Sequence, residues 1–198
     1  MPPQSQSQPP PPAPWRPLFQ NNLTSSPSTF TLTTIDRDAA NRPIPRARIC
    51  EFRGFWPSPP LHPNAVDALN QQYGGPNPAI YESDMLSLTT DARMPKVAQI
   101  GASGHVVEGL FWLKDVMSSF KNPPPGQPRS IIPEDANLRV GQTVEDLHDP
   151  VARGNFRVVV IRPVAVERLD LSDLQNMRRQ QWSLVEGENR WEEVELWP

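Results

Sequence analysis

The sequence has few of the residues that disulfide frameworks and metal centres require. Its 198 residues include one cysteine, Cys50, which excludes an internal disulfide and any cysteine-based zinc site. The three histidines, His62, His105 and His148, are far apart, and none has a second ligand at metal-binding spacing. We therefore expect no metal site. A single cysteine also suits a reducing compartment.

Long apolar runs, an excess of basic charge and the common nucleotide-binding motifs are missing as well. No apolar segment approaches the length of a membrane span, and the first residues lack the basic-then-apolar layout of a signal peptide. A net charge of −3 argues against a general nucleic-acid binder. There is no phosphate-binding loop or dinucleotide motif, and residues 101–104 lack the glycine spacing of a nucleophile elbow. These absences predict a cytoplasmic protein without membrane or nucleic-acid partners.

Proline is abundant, with 26 prolines against 10 glycines, so much of the chain must be irregular or extended. Residues 1–13 are almost wholly Pro, Gln and Ser and predict a disordered tail, with a proline-motif ligand as the alternative. Residues 14–198 have the length of one domain. Within that domain, residues 56–78 and 118–155 predict irregular segments.

The other segments predict many short strands and few helices. Apolar spacing indicates a helix at residues 15–23, a second helix should run from Pro95 to about Ser103, and Ser172 could cap a helical turn. Strands are expected at residues 28–35, 46–56, 80–90, 106–116, 156–169 with a bend at Pro163, and in a hairpin of 181–186 and 191–196. This pattern favours a β-barrel over a layered α/β fold.

Residues 46–56 are unusual for a strand because three arginines interrupt the β-branched and aromatic residues. Burying an unpaired arginine is costly, so each needs an anionic partner or a solvated face. On a regular strand Arg46 and Arg48 share one face and Arg53 lies on the other. Arg48 and Arg53 then serve different groups, unless a bulge intervenes. Arginines lying along an exposed edge strand are the alternative.

A second basic site follows the strand at residues 80–90. Pro95 suits the first helical position, which puts Arg93 and Lys96 at the positive end of the helix dipole, where cations are disfavoured. An anion bound by free backbone N–H groups would remove this conflict. Two basic sites of this kind in one small domain predict a phosphorylated ligand.

The motifs RICEFRGF at residues 48–55 and TTDARMPK at 89–96, with WEEVELWP at 191–198, occur in an order that resembles a known family. It is the pyridoxamine 5′-phosphate oxidase-like split-barrel family, and in particular its FMN-binding subgroup from cyanobacteria, plants and fungi. The resemblance implies a mainly β, FMN-binding split β-barrel with a few short helices. It also implies a homodimer that holds FMN between two barrels.

The resemblance implies roles for individual residues. Arg48 and Lys96 would bind the FMN phosphate, and Arg53 would lie on the flavin and substrate side. Pro95 occupies a position that is often arginine in the oxidases, so Arg93 would have to substitute for it. The other residues implied at the cofactor are Ile49, Phe52, Thr89, Thr90 and Arg179.

Simpler interpretations compete with some of these roles. Thr89 and Thr90 fit the role of ordinary strand residues as well as they fit the role of flavin contacts. For Arg178 and Arg179, a pair of solvated surface charges is favoured over a contact to the flavin ring. The tryptophans at positions 112, 182, 191 and 197 are most simply core residues.

The resemblance is interrupted after Met117. The family continues there with a further pair of barrel strands and helices, a region that holds the phosphate of pyridoxamine phosphate. Here the chain passes almost directly into the prolines at 123–125, so we expect an incomplete barrel with exposed strand edges.

Two functions are compatible with this sequence. One is an FMN-dependent oxidoreductase acting on a small phosphorylated substrate, and the other is a non-catalytic flavin-binding or interaction protein that has lost its substrate site.

Overall fold

The computed structural model describes residues 11–24, 28–58, 60–61, 63–103, 120–135, 137–141 and 149–198. Short helices and antiparallel strands alternate along this part of the chain. No helix within these ranges is long and apolar enough to cross a membrane. In chain order the elements are α1 (Arg16–Thr24), β1 (Thr29–Arg37), β2 (Pro43–Glu51), α2 (Pro63–Tyr73), β3 (Leu86–Asp91), α3 (Pro95–Ser103), α4 (Pro150–Asn155), β4 (Phe156–Ile161), β5 (Ala165–Asp170), β6 (Arg178–Leu184) and β7 (Trp191–Leu196).

The strands form three antiparallel sheets, β1–β2, β3–β4 and β5–β6–β7, which do not close into a barrel within the described ranges. In the β3–β4 pair, Thr89 lies opposite Val158 and Thr90 opposite Arg157. The predicted class, mainly β with a few short helices, is confirmed. The hairpin predicted at the end of the chain is present as β6 and β7, and its loop turns through Gly187, whose φ is 78°.

Gly54 redirects the chain after the end of β2, so that residues 53 and 54 lie beside β3. Its φ is 110°, in the region that favours glycine. Its carbonyl accepts hydrogen bonds from the Ser87 backbone N–H at 2.9 Å and from the Ser87 hydroxyl at 2.8 Å. The Arg53 N–H donates to Ser87 O at 2.9 Å. The strand predicted at residues 46–56 therefore ends at Glu51, and the alternation of faces does not extend to Arg53.

An aromatic cluster joins the first residues of the domain to the three-stranded sheet. The Arg16 guanidinium lies 4.0 Å from the centroid of the Phe55 ring and pairs with Asp84 at 3.2 Å. Ala13 is 2% exposed, and its N–H donates to Asp84 at 2.8 Å, so this residue packs against the domain. The buried members of this cluster are Ala13, Trp15, Phe55 and Trp182.

Two smaller clusters pack on the β3–β4 sheet. Cys50, Leu88 and Val159 lie between the β1–β2 and β3–β4 sheets, and Ile100 of α3 packs against them. This packing brings the inner face of β2 against α3. The third cluster consists of Phe120, Ala152, Phe156 and Val158.

The sequence-based prediction of an irregular segment at residues 56–78 is wrong, because residues 63–73 form α2. Pro63 occupies its first position, where proline is well tolerated. Val66 and Leu69 are half-buried and three residues apart, a spacing that puts them on one helix face. The next strand also begins later than predicted, at Leu86, after a turn of 3₁₀ helix at Ala79–Tyr81.

Other predictions had mixed outcomes. The long strand at residues 156–169 breaks near Pro163 as predicted, into β4 and β5. Ser172 does not cap a helical turn, because its hydroxyl donates to Asp170 at 2.7 Å and the chain then enters β6. The segment predicted to be irregular at residues 118–155 contains α4. The strand predicted at 106–116, the junction after Met117 and the three histidines lie outside the described residues.

Candidate functional site

A cavity of about 490 Å³ lies where β3 runs into α3, a volume typical of small-molecule sites. One wall comes from the end of β3 and the first turn of α3. The opposite wall comes from the proline-rich residues after Phe120. The lining residues are Arg53, Thr89, Thr90, Asp91, Met94, Lys96, Phe120, Asn122, Pro123 and Pro125.

Lys96 brings a buried positive charge to this cavity. Its side chain is 9% exposed, and its ammonium lies 3.8 Å from the thiol sulfur of Cys50. No carboxylate in the described ranges lies within 4 Å of Lys96 Nζ. A buried ammonium without an anion is costly, and the first turn of a helix adds to that cost. An anion bound in the cavity would relieve both effects.

A second buried polar group, a hydroxyl, lines the same cavity. Thr90 is 5% exposed, and its Oγ1 makes no hydrogen bond within the part of the chain that the structure describes. Most buried polar groups are hydrogen-bonded, so such a group calls for an explanation. Thr89 differs, because its Oγ1 accepts a hydrogen bond from Arg53 Nε at 3.4 Å. Lys96 and Thr90 together suit a ligand with anionic oxygen atoms.

Arg48 is fixed next to this site by a buried polar network. Its Nη2 donates to Gln99 Oε1 at 2.8 Å and to Thr34 Oγ1 at 3.1 Å, and the Thr34 hydroxyl donates to Gln99 Oε1 at 2.7 Å. Arg48 and Cys50 share one face of β2, and that face meets Gln99 and Lys96 of α3. The structure therefore brings Arg48 and Lys96 to the same helix, although Arg48 is not among the cavity-lining residues above.

Arg53 and Arg93 are each held by a carboxylate. Arg53 Nη1 and Nη2 meet the two carboxylate oxygens of Glu51, both at 2.9 Å. Arg93 Nε and Nη2 meet those of Asp91 at 2.9 and 2.6 Å. Arg93 Nη2 also donates to Asn122 O at 3.1 Å, which ties the proline-rich wall to the end of β3.

The other residues predicted from the sequence lie away from the cavity. Ile49 is 78% exposed on the outer face of β2. Phe52 packs in the aromatic cluster, with its ring centroid 5.4 Å from that of Phe55. Arg179 pairs across the sheet with Glu167 at 2.9 Å, and Arg178 pairs with Glu195 at 2.8 Å.

The wall at residues 120–125 was not identified from the sequence. Phe120 packs edge-on against Phe156 with ring centroids 5.0 Å apart, and its carbonyl accepts from Asn155 Nδ2 at 2.9 Å. Lys121 pairs with Asp149 at 2.8 Å. The signal for this wall is a phenylalanine placed just before a run of prolines, and such a run by itself predicts only irregular structure.

Asp149 fixes this wall electrostatically. Burial alone would raise the pKa of its carboxyl, but hydrogen bonds from Lys121 Nζ and from the N–H groups of Ala152 and Val151 hold that pKa below its usual value. The same carboxylate caps α4, because its Oδ1 accepts hydrogen bonds from the N–H of Val151 at 3.0 Å and from the N–H of Ala152 at 2.9 Å. Asp149 therefore remains ionised near neutral pH and links Lys121 to α4.

A family model described as the FMN-binding domain of pyridoxamine 5′-phosphate oxidase matches residues 12–122, more than half of the chain. The chain belongs to this family. The matched range contains every cavity-lining residue from Arg53 to Asn122, and leaves out Pro123 and Pro125. The family predicted from the motifs is thus confirmed.

The fold agrees with this membership in the pyridoxamine 5′-phosphate oxidase family. The chain is similar to the crystal structure of a pyridoxamine 5′-phosphate oxidase-related, FMN binding protein from Nostoc punctiforme, with a TM-score of 0.64 and 18% identity. The similarity covers 94% of this chain and 98% of the other. At this identity the likeness shows a shared fold, which confirms the predicted split-barrel class. A comparison with curated proteins found no match.

Proposed function

We propose that this protein binds FMN in the cavity between β3, α3 and residues 120–125, and uses it in an oxidoreductase reaction. One observation carries the proposal: the ammonium of Lys96 and the hydroxyl of Thr90 are both buried at one cavity, and among the described residues the first has no carboxylate and the second no hydrogen-bond partner. A phosphate would satisfy both groups, because it is anionic and rich in acceptor oxygens. Family membership makes FMN the phosphate-bearing ligand of choice.

Each residue near the cavity has a place in this proposal. Lys96 and Thr90 hold the phosphate directly, and Arg48 adds positive charge from the face of β2 that meets α3. Arg53 and Thr89, which are joined at 3.4 Å, lie on the flavin side. Bound FMN supplies hydride-transfer chemistry, for which the protein contributes binding, orientation and charge. No side chain needs to act as a general acid or base.

A second candidate is a flavin-binding protein without catalytic turnover. The ion pairs that Arg53 and Arg93 form with neighbouring carboxylates favour this candidate. Both arginines are neutralised in these pairs and are not available to bind a charged substrate. Anaerobic mixing of the FMN-loaded protein with two-electron donors that do not reduce free FMN on the same timescale separates the two functions. Rapid loss of the oxidised flavin spectrum with one of these donors supports the oxidoreductase, and an unchanged spectrum with all of them supports the second candidate.

We also infer that the protein acts as a cytoplasmic homodimer with FMN between its subunits. The family resemblance supports the dimer, and the exposure of Ile49 on the outer face of β2 is consistent with a surface that a second copy covers. The single cysteine fits a reducing compartment.

FMN binding is tested by titrating the apoprotein with FMN and with riboflavin and following flavin fluorescence. We expect saturable FMN binding that is at least about tenfold tighter than riboflavin binding, because one charged hydrogen bond is worth on the order of 1.5–3 kcal/mol. Equal affinity for the two flavins would contradict the phosphate site. Binding of neither flavin would contradict the proposed function as a whole.

A further inference from the structure

The cavity has less free positive charge than its neighbouring side chains suggest. Arg93 is neutralised by Asp91 and Arg53 by Glu51, each through two nitrogen–oxygen contacts of 2.9 Å or less. Within the described ranges, Lys96 is the cavity-lining cation that has no carboxylate within 4 Å. The free charge in the cavity is therefore sufficient for one anionic group.

The Glu51–Arg53 pair is arranged to resist an external anion. Arg53 Nη1 contacts one carboxylate oxygen of Glu51 and Nη2 contacts the other, each at 2.9 Å, and Arg53 Nε donates to Thr89 Oγ1 at 3.4 Å. The side chains of Arg53 and Glu51 are 28% and 52% exposed, and the bidentate geometry makes this pair stronger than a single charged contact at the same exposure. Since Glu51 is two residues from Arg53 along the chain, its effective concentration is high. An incoming phosphate would have to displace the Glu51 carboxylate and would also be repelled by it.

We propose that the cavity accepts a single phosphate-bearing ligand, at Lys96, and that Glu51 excludes a second one from Arg53. Glu51 is then a specificity-determining residue. This inference rests on the proposed function, because it assigns the charge of Lys96 to the phosphate of FMN. The co-substrate that meets the bound flavin is accordingly a compound without a phosphate group, and pyridoxamine 5′-phosphate is excluded by charge.

The test uses FMN-saturated protein and pyridoxamine 5′-phosphate as the probe, with binding measured by calorimetry and flavin reduction by stopped flow. For the wild type we expect no saturable binding of the probe and no reduction of the flavin. Glu51→Gln keeps the shape of the side chain and removes its charge, which frees Arg53. We expect this variant to bind the probe at least about tenfold more tightly than the wild type does.

Two controls isolate the cause. The double variant Glu51→Gln with Arg53→Gln should lose the gain, because the freed arginine is what binds the probe. Glu186→Gln removes an exposed carboxylate from the β6–β7 loop and changes the net charge equally, so it should leave probe binding as in the wild type. A gain in Glu186→Gln equal to that in Glu51→Gln would overturn the inference.

Failure of this inference is distinct from failure of the proposed function. A wild-type FMN complex that binds the probe as tightly as Glu51→Gln overturns the role of Glu51 and leaves FMN binding intact. A Glu51→Gln variant that loads FMN and shows no gain does the same. A wild-type protein that binds no FMN overturns both proposals, and the initial FMN titration reveals this outcome before any probe is added.

Discussion

At the scale of single residues, Lys96 and Lys121 differ in their partners. Lys121 pairs with Asp149 at 2.8 Å, whereas among the described residues the polar partner of Lys96 is the thiol of Cys50 at 3.8 Å. Burying an ammonium without an anion is unfavourable, so its replacement by an apolar side chain of similar length should cost little.

The first prediction compares Lys96→Met with Lys121→Met in urea denaturation of the apoprotein. Lys96→Met should leave the free energy of unfolding unchanged or raise it by about 1 kcal/mol, because it removes an unpaired buried charge. Lys121→Met should lower it by about 1–3 kcal/mol, because it leaves Asp149 without its partner. Equal destabilisation by both variants would show that Lys96 contributes to the fold in the absence of a ligand.

The second prediction concerns Gln99, which orients Arg48. Gln99→Leu removes the acceptor at 2.8 Å from Arg48 Nη2. FMN affinity should fall by roughly fivefold, the equivalent of about 1 kcal/mol for one hydrogen bond, while riboflavin affinity should stay the same. Fluorescence titration of both flavins measures this difference, and Gln71→Leu on α2 is the matched control. A parallel loss of riboflavin affinity would indicate general damage rather than loss of orientation.

The sequence indicates Arg48 and Lys96 as candidate ligand-binding residues, whereas it gives no signal for Gln99 and Thr34. An arginine in a strand and a lysine in the first turn of a helix each conflict with local preference, and such conflicts indicate a ligand. A glutamine in a helix and a threonine in a strand both agree with local structural preference, so neither indicates a ligand. Their roles depend on how β2 packs on α3, which no local pattern encodes.

At the scale of elements, α3 was predicted with its observed bounds. Pro95 marks the first helical position, and the apolar residues that follow recur at helical spacing. α2 was missed because prolines at residues 57, 59 and 60 precede it and obscure the helical start at Pro63. The end of β2 was missed because Phe52 and Phe55 have strand-forming side chains, while the positive φ of Gly54 redirects the chain. Packing on α1 overrides the local preference there.

The third prediction concerns Asp149, which links α4 to the cavity wall. Its folded-state pKa lies below the ordinary value of 3.8, so the ionised carboxylate contributes stability above that value. This contribution is lost as the pH falls from about 4 through the lowered folded-state pKa.

Asp149→Asn keeps a capping side chain but removes the charge, so it should lower the free energy of unfolding at pH 7 by about 1–3 kcal/mol. The difference from the wild type should shrink below about pH 4. Asp149→Ala also removes the cap and should cost about 1 kcal/mol more. Urea denaturation between pH 7 and 3 measures both effects. If the free energy of unfolding of the wild type exceeded that of Asp149→Asn by as much at pH 3 as at pH 7, the result would contradict this account.

At the scale of the whole molecule, the outer face of the β1–β2 sheet is uncharged along its middle. Ile49 is 78% exposed and Ile35 is 48% exposed there, and Ala47 and Pro45 of β2 are exposed between them. An apolar face of this kind is typical of a contact surface between subunits.

The fourth prediction is that Ile49→Glu disrupts the homodimer. We expect the wild type to sediment as a dimer at micromolar concentration, with a larger dimer fraction when FMN is present. A glutamate at position 49 places two like charges near the symmetry axis, so the variant should be a monomer. Ile132→Glu is the matched control, because Ile132 is 86% exposed on irregular chain and should tolerate the charge. A dimeric Ile49→Glu variant would place the interface elsewhere.

The central claim is that a phosphate is bound at Lys96, and the preference for FMN over riboflavin in the wild type and in Lys96→Met tests it most directly. The account predicts that the wild type binds FMN at least about tenfold more tightly than riboflavin, and that Lys96→Met loses most of that preference while riboflavin affinity is unchanged. A Lys96→Met variant that retains the full preference for FMN would contradict the account.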